Sequence, residues 1–204
     1  FQEGHDPLLF DPLVSTTVYQ RIVEQPGHSG VIPLGDIALS AYGRLWVAGS
    51  TTDKTLVSFS DIINGHKWAA GTSGTLDVTT VWPNGSDTIT GLASHNGFLF
   101  IFGKNSILVY SGATAPATMA LSDSVKGIGC IARDSIQNTG TDVLFLSDTG
   151  VRSVLRTIQE KSAPFRDLSK NVRNDLMAGI AGETAKNIKS VYNPFESFYL
   201  LTLP

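Results

Sequence analysis

The segment Gly127-Ile128-Gly129-Cys130-Ile131-Ala132 has the G-x-G-x-x-A spacing of a dinucleotide fingerprint. Such glycines hold a phosphate only when a strand precedes them and a helix opens directly after, because the anion sits on the helix N-terminus. No helical pattern or βαβ unit surrounds this segment, so the glycines read as a strand entry that permits close sheet packing. His5, His28, His66 and His95 are dispersed, and none stands at helical or hairpin spacing from a second ligand-type residue. They read as surface loop residues, and a metal centre would need the fold to assemble it. Asp53, Asp61, Asp87, Asp134 and Asp148 all lie at expected strand ends, where a catalytic carboxylate pair could form only if the fold set the spacing.

No G-x-S-x-G elbow, P-loop or H-E-x-x-H occurs. Ser147-Asp148-Thr149-Gly150 approaches the Asp-box turn of sialidase-type propellers but lacks its extra residue between Ser and Asp and its aromatic after Gly. The preference of Asp and Gly for tight turns accounts for it. Asn84-Gly85-Ser86 is formally a glycosylation sequon and equally a plain turn pair. The single cysteine, Cys130, excludes an intrachain disulfide and a cysteine zinc site, and reads as a small buried apolar residue. No catalytic, cofactor-binding or metal-ligating residue is therefore expected.

The elements that must position these residues are strands. With 204 residues and 42% hydrophobic composition the chain can bury a substantial core. Twenty glycines, nine prolines and 16% charged residues favour many short strands and turns over long surface helices. The net charge of −3 advertises no basic field for nucleic acid. No run is long and apolar enough to span a membrane, and no signal-like segment occurs, so the chain reads as soluble. An opening at Phe1 and an ending inside the apolar run Leu200-Leu201-Thr202-Leu203-Pro204 suggest a piece of a longer protein.

The hairpin GFLFIFGKNSILVYSG recurs in outline. Residues 37–60 carry it with a turn at Tyr42-Gly43-Arg44, and residues 88–110 with a turn at His95-Asn96-Gly97. Residues 130–155 repeat it with turns at Asn138-Thr139-Gly140 and Asp148-Thr149-Gly150, strands being expected over Val143 to Leu146 and Val151 to Leu155. A fourth copy begins at residues 188–203, with Asn193-Pro194 as the turn signal. The central large residues, Trp46, Phe100, Phe145 and Leu200, recur about every 45 to 55 residues, a period expected of propeller blades. The alternative is an ordinary β-sandwich. The expected class is all-β: three to four β-propeller blades of a partial ring, with one inserted helix, since closed rings use about four to eight.

The expected organisation is an irregular lead-in over residues 1–35, with one strand or short helix near Thr16 to Val23, then a propeller region over 36–204. Residues 61–87 form a long connector whose short strand, Leu76 to Trp82, would be the outer strand of a blade. The inserted helix is expected over residues 164–182, with Leu168, Val172, Leu176 and Ile180 on one stripe, Pro164 and Asp167 at its start, and Gly179 or Gly182 at its end.

Taken together, Ser60-Asp61 with Trp68, Asp87-Thr88-Ile89-Thr90-Gly91-Leu92, Leu99 to Ile107, Gly127 to Ser135, and Asp142 to Ser153 resemble the propeller region of short-tailed bacteriophage tail nozzle proteins. These are also called tail tubular protein B, and are related to the packaged-DNA stabilisation proteins. The resemblance covers about residues 36 to 203 and consists of strand and turn motifs, without a catalytic set. It implies a structural protein of the virion tail. The implied assembly is a hexameric ring below the portal and adaptor, in contact with tail fibre or spike proteins, through which double-stranded DNA passes without sequence-specific binding. A weakly acidic balance suits such a conduit, because DNA held by many Lys or Arg contacts would not slide. Loops 49–55, 61–75 and 111–126 are the expected contact surfaces. The alternatives are a propeller glycosidase or lyase acting on host polysaccharide and a kelch-like interaction module.

Overall fold

The computed structural model describes residues 1, 4–13, 18–160 and 168–203. In the lead-in, β1 (Leu8–Leu9) pairs with β2 (Gln20–Arg21), and a 3-10 turn follows at Ile22–Glu24. Then β3 (Gly35–Ala41), β4 (Arg44–Ser50), β5 (Leu56–Phe59) and β6 (Gly74–Asp77) form an antiparallel meander in chain order. A second meander follows: β7 (Ile89–His95), β8 (Phe98–Gly103), β9 (Ser106–Ser111) and β10 (Ala120–Lys126). A three-stranded sheet comes next, from β11 (Gln137–Asn138), β12 (Val143–Ser147) and β13 (Gly150–Ser153). After α1 (Val154–Glu160) and α2 (Arg173–Ile180), β14 (Lys189–Asn193) and β15 (Phe198–Thr202) close the described chain as a hairpin.

Two turns set the registers of the first two sheets. Tyr42 and Gly43 have φ of 55° and 68°, and Asn96 and Gly97 have 48° and 81°. Positive φ at both central residues gives the turn whose twist matches that of the flanking strands. Ala41 then opposes Arg44, and His95 opposes Phe98.

The middle strands are apolar on both faces, and this dictates the layering. In β4, Trp46 and Ala48 pack toward the second sheet, while Leu45 and Val47 pack with Ile22, Ile32 and Trp68 on the opposite side. From β8, Leu99 and Ile101 join Trp46, and Phe100 and Phe102 join Val143 and Phe145 of β12. The Phe102 and Phe145 rings lie 5.1 Å apart across that interface. On the far side of β12, Leu146 packs with Ile188, Tyr199 and Leu201 of the terminal hairpin and with Leu176 and Ile180 of α2. Four sheets thus lie face to face in series, with the lead-in over the first. The first strands are neighbours in turn, β3 beside β7, β7 beside β11 and β11 beside β14.

The all-β class holds, with five antiparallel sheets counting the lead-in pair, and several details differ from expectation. Two short helices replace the single inserted one. Residues 154 and 155 were expected to extend a strand, but the Ser153 hydroxyl accepts the Arg156 amide at 3.2 Å and Asp142 accepts the Leu155 amide at 3.1 Å, which caps α1. In α2 only Leu176 and Ile180 of the expected stripe reach the core, while Leu168 and Val172 are exposed ahead of it. Pro164 and Asp167 lie outside the described residues, Gly179 lies within α2, and Gly182 follows its end.

The outer strand of the first sheet is Gly74–Asp77, not residues 76–82. The Asp77 carboxylate accepts the Thr79 amide at 2.8 Å and bends the chain away, so that Val78 and Trp82 plug the core between the first two sheets. Residues 120–126, expected within a loop, are the edge strand β10. In the lead-in, the pair of strands and the turn at Ile22–Glu24 replace the single element, and Thr16 lies outside the described residues. Ahead of β11, in the third copy, a 3-10 turn forms at Arg133–Ser135.

Phe100 is 1% exposed and Leu200, its expected counterpart in the fourth copy, is 52% exposed. Denaturant unfolding should therefore separate them: Phe100→Ala is expected to cost about 3 to 5 kcal/mol, and Leu200→Ala about 0.5 kcal/mol or less. Equal losses would contradict the layering.

Candidate functional site

The first strands β3, β11 and β14 are only partly buried, unlike the middle strands and β7, and polar residues gather where they meet. The node is the turn at Arg133–Ser135. The Ser135 hydroxyl donates to the Ala132 carbonyl at 2.6 Å and accepts the Leu146 amide at 3.0 Å, which locks the turn onto its own sheet. The Tyr199 hydroxyl donates to the Ser135 carbonyl at 2.8 Å, and the Ser190 hydroxyl to the Asp134 carbonyl at 2.7 Å, which tie it to the terminal hairpin. Gln137 of β11 donates to the Ser190 carbonyl at 3.1 Å.

Charge completes the node. The Arg133 guanidinium lies 2.7 Å from the Asp134 carboxylate and 3.5 Å from that of Asp36 on β3, whose carbonyl it also reaches. Lys189 of β14 pairs with Asp134, and Lys186 lies 4.0 Å from Asp36. The first, third and fourth sheets are thereby clasped together. The hydrogen bond from Arg133, aided by Lys189 and opposed by desolvation, holds the Asp134 carboxyl below the usual carboxylate range. The hydrogen bond to Asp134 raises Arg133 in turn, and burial pushes the Tyr199 phenol up to about 12. At neutral pH Asp134 stays ionised, with no proton to hand to a substrate.

Two clefts flank the clasp. One, of about 520 Å³, runs along Ala38, Leu39, Leu92, Ile136 and Gln137. The other, of about 450 Å³, opens between Lys54, Thr88, Thr90, Lys104, Arg133 and Lys186.

Of the carboxylates singled out in the sequence, only Asp134 belongs here; the others hold separate turns. Asp53 accepts the Thr55 amide at 2.9 Å, Asp61 the Thr72 amide at 2.9 Å, and Asp87 the amides of Lys104 and Asn105 at 2.9 and 2.8 Å. Asp148 is exposed in the two-residue turn between β12 and β13. Asp61 lies below the usual carboxylate range because Thr72 donates both its amide and its hydroxyl to it. His5 is exposed and the His28 ring contacts the His66 carbonyl at 3.1 Å, but His95, expected on a surface loop, is buried at the end of β7. No group of three or more potential metal ligands forms among the described residues.

Of the two glycines of the G-x-G-x-x-A segment, Gly127 takes a positive φ of 78° with open space beside it, and Gly129 serves close packing. A Cβ on Gly129 would meet the Gly103 carbonyl oxygen at 2.3 Å, and the Cys130 amide donates to that same oxygen at 2.9 Å. Cys130 is fully buried, and its thiol is pushed up to about 11 by burial. Asn84 donates to the Asn105 carbonyl at 3.2 Å, so the sequon residue braces a turn. No helix among the described residues is long and apolar enough to cross a membrane. Asp36, Lys186 and Lys189 belong to no sequence motif; only a strand-end position for Asp36 could have drawn attention to it.

Because the folded-state pKa of Asp134 is lowered, its contribution is full at neutral pH, begins to fall as the pH nears the 3.8 of a free aspartate, and is lost below that. Asp134→Asn is expected to cost about 1 to 3 kcal/mol at pH 7, since it weakens charged hydrogen bonds to Arg133 and Lys189. It should also flatten the dependence of stability on pH below about 4, read by urea unfolding at stepped pH. Neither a protein-family model nor a curated protein matches this chain, so its functional reading rests on the geometry above and on the resemblance of its strand and turn motifs.

Proposed function

We propose that the chain is a non-enzymatic structural component of a phage virion, the propeller-bearing part of a tail nozzle that seals the tail and guides double-stranded DNA out. The observation that carries this reading is the serial stack of antiparallel sheets whose first strands adjoin one another around one clasp. In that arrangement the four sheets are successive blades of an incomplete ring, each covering its neighbour's apolar face. Of the motifs that resemble the nozzle family, Ile89 to Leu92, Leu99 to Gly103 and Val143 to Ser147 lie in strands of these sheets, while Ser60-Asp61, Trp68 and Gly127 to Ser135 lie in the segments that connect strands.

Assembly is supported by apolar surface at both ends of the stack. Val191, Phe195, Phe198 and Leu200 are exposed on the terminal hairpin, as are Phe10, Leu13, Tyr19 and Val31 on the lead-in. Grouped exposed side chains of this size mark contact surfaces more often than isolated ones do. The partners in this reading are further copies in a hexameric ring, the portal and adaptor above, and fibre or spike proteins beside it. The turn-holding roles of Asp53, Asp61 and Asp87 favour scaffold over polysaccharide cleavage, which needs carboxylates converging on one bond.

Antibody raised against this chain should label the tails of particles released from the host culture that produces it, and electron microscopy of those particles should show its density as a ring below the portal. Particles that lack the chain would overturn the reading.

A further inference from the structure

We propose that the cleft holding Arg44 is a binding site for a single carboxylate group carried on a small apolar body. The site stands apart from the virion reading.

The cleft, of about 620 Å³, lies between the connection from β5 to β6 and the connection from β9 to β10. Buried Arg44 and Phe59 form its floor, and residues of the two connections and of β6 form its walls. Part of the guanidinium is already engaged. Nη1 donates to the Ser60 carbonyl at 2.8 Å and to the Thr72 carbonyl at 3.1 Å, and Nη2 donates to the Thr72 hydroxyl at 2.7 Å. These bonds brace the connection between β5 and β6. They leave Nε with no partner and Nη2 with a hydrogen to spare. Nε and Nη2 make up the side edge of the guanidinium, and two parallel donors on one edge are what grips both oxygens of a carboxylate.

The charge is unmatched as well. Arg44 is 5% exposed and forms no ion pair among the described residues. Its guanidinium carbon stands 5.9 Å from the centre of the Phe59 ring, a weak substitute for an anion. Asp61 feels that charge only weakly, since bonds from the Thr72 amide and hydroxyl account first for its lowered carboxyl, and it does not pair with Arg44. A buried cation is stable when an opposite charge completes its hydrogen bonds, and the cleft is where one can enter.

The walls decide what carries that charge. Phe59, Ile62 and Pro116 offer apolar surface to a ligand's body, and the Thr75 and Thr114 hydroxyls, which bond to no described residue, remain to receive a polar group. Arg44 is the one charged residue among the described residues that line the cleft, so a polyanion would bring charge that nothing there balances. The volume is that of a small-molecule site.

Calorimetric titration of the chain with benzoate at neutral pH tests this. Saturable one-to-one binding is expected, and benzamide, of the same shape without the charge, should bind at least about tenfold more weakly. Arg44→Lys keeps the charge but loses the forked donors, and should also weaken benzoate binding about tenfold, with thermal unfolding showing whether it is folded. Thr75→Glu, at an exposed position on the edge strand β6, places a carboxylate of the chain's own in the cleft. It should abolish benzoate binding at an unchanged unfolding temperature, and it decides the matter where Arg44→Lys does not fold. Thr141→Glu adds the same charge on the third sheet and should bind as the parent does. No saturable heat, equal binding of benzamide, or parental affinity in Thr75→Glu or in folded Arg44→Lys would overturn the proposal. In a competition arm, displacement of benzoate by a short peptide with a free C-terminal carboxylate, and not by its C-terminal amide, identifies a chain end as the carboxylate's source. Failure of both to displace it identifies a small free carboxylate. Displacement by both alike would overturn the assignment to a carboxylate.

Discussion

A strand that is apolar on both faces cannot sit at a surface, and β4, β8 and β12 are such strands. Trp46, Leu99, Phe100, Ile101, Phe102, Phe145 and Leu146 are all buried, and they point alternately to opposite sides of their sheets. One sheet supplies cover for only one face of its neighbour, so a sheet with two apolar faces needs two neighbours. That requirement extends through three sheets and ends at the lead-in on one side and the terminal hairpin on the other. Fully burying a large side chain contributes about 1.5 to 3 kcal/mol. The three interfaces between sheets therefore outweigh any polar contact in the molecule.

The hairpin centres were readable from sequence because two independent signals coincide in them. Alternating large residues mark the strands, and Tyr42-Gly43 and Asn96-Gly97 mark turns that require positive φ. Where one signal stood alone, expectation drifted. Residues 76–82 alternate like a strand, yet the Asp77 side chain competes for the Thr79 amide and ends β6 early. The start of α1 depends on Asp142, a partner eleven residues before Ser153 in the chain, which no local pattern discloses. His95, expected in the turn with Asn96 and Gly97, is instead the last residue of β7 and is buried, which no local pattern discloses.

The clasp was less readable still. Its members Asp36, Arg133, Asp134, Lys186 and Lys189 come from three sheets and share no motif. Only Asp134 stands out in the sequence, as one strand-end carboxylate among five. Asp53, Asp61 and Asp87 proved to have the commonest task of an aspartate beside a turn, accepting backbone amides that would otherwise be unpaired. Aspartates at strand ends signal turn geometry first, and chemistry only when a second group converges on them.

The polar clasp follows from the apolar stack. Middle strands of successive sheets approach closely enough for rings to meet at 5.1 Å, whereas the first strands β3, β11 and β14, only partly buried, border clefts that apolar side chains do not fill. Charged side chains suit such a place because they can pair across a gap while keeping contact with solvent, and their desolvation stays small. The joint they make is weak in energy but directional: Arg133 reaches the first sheet, Lys189 reaches back from the fourth, and both meet at Asp134 or beside it. Apolar burial sets how strongly the sheets adhere, and the clasp sets which ends of them come together.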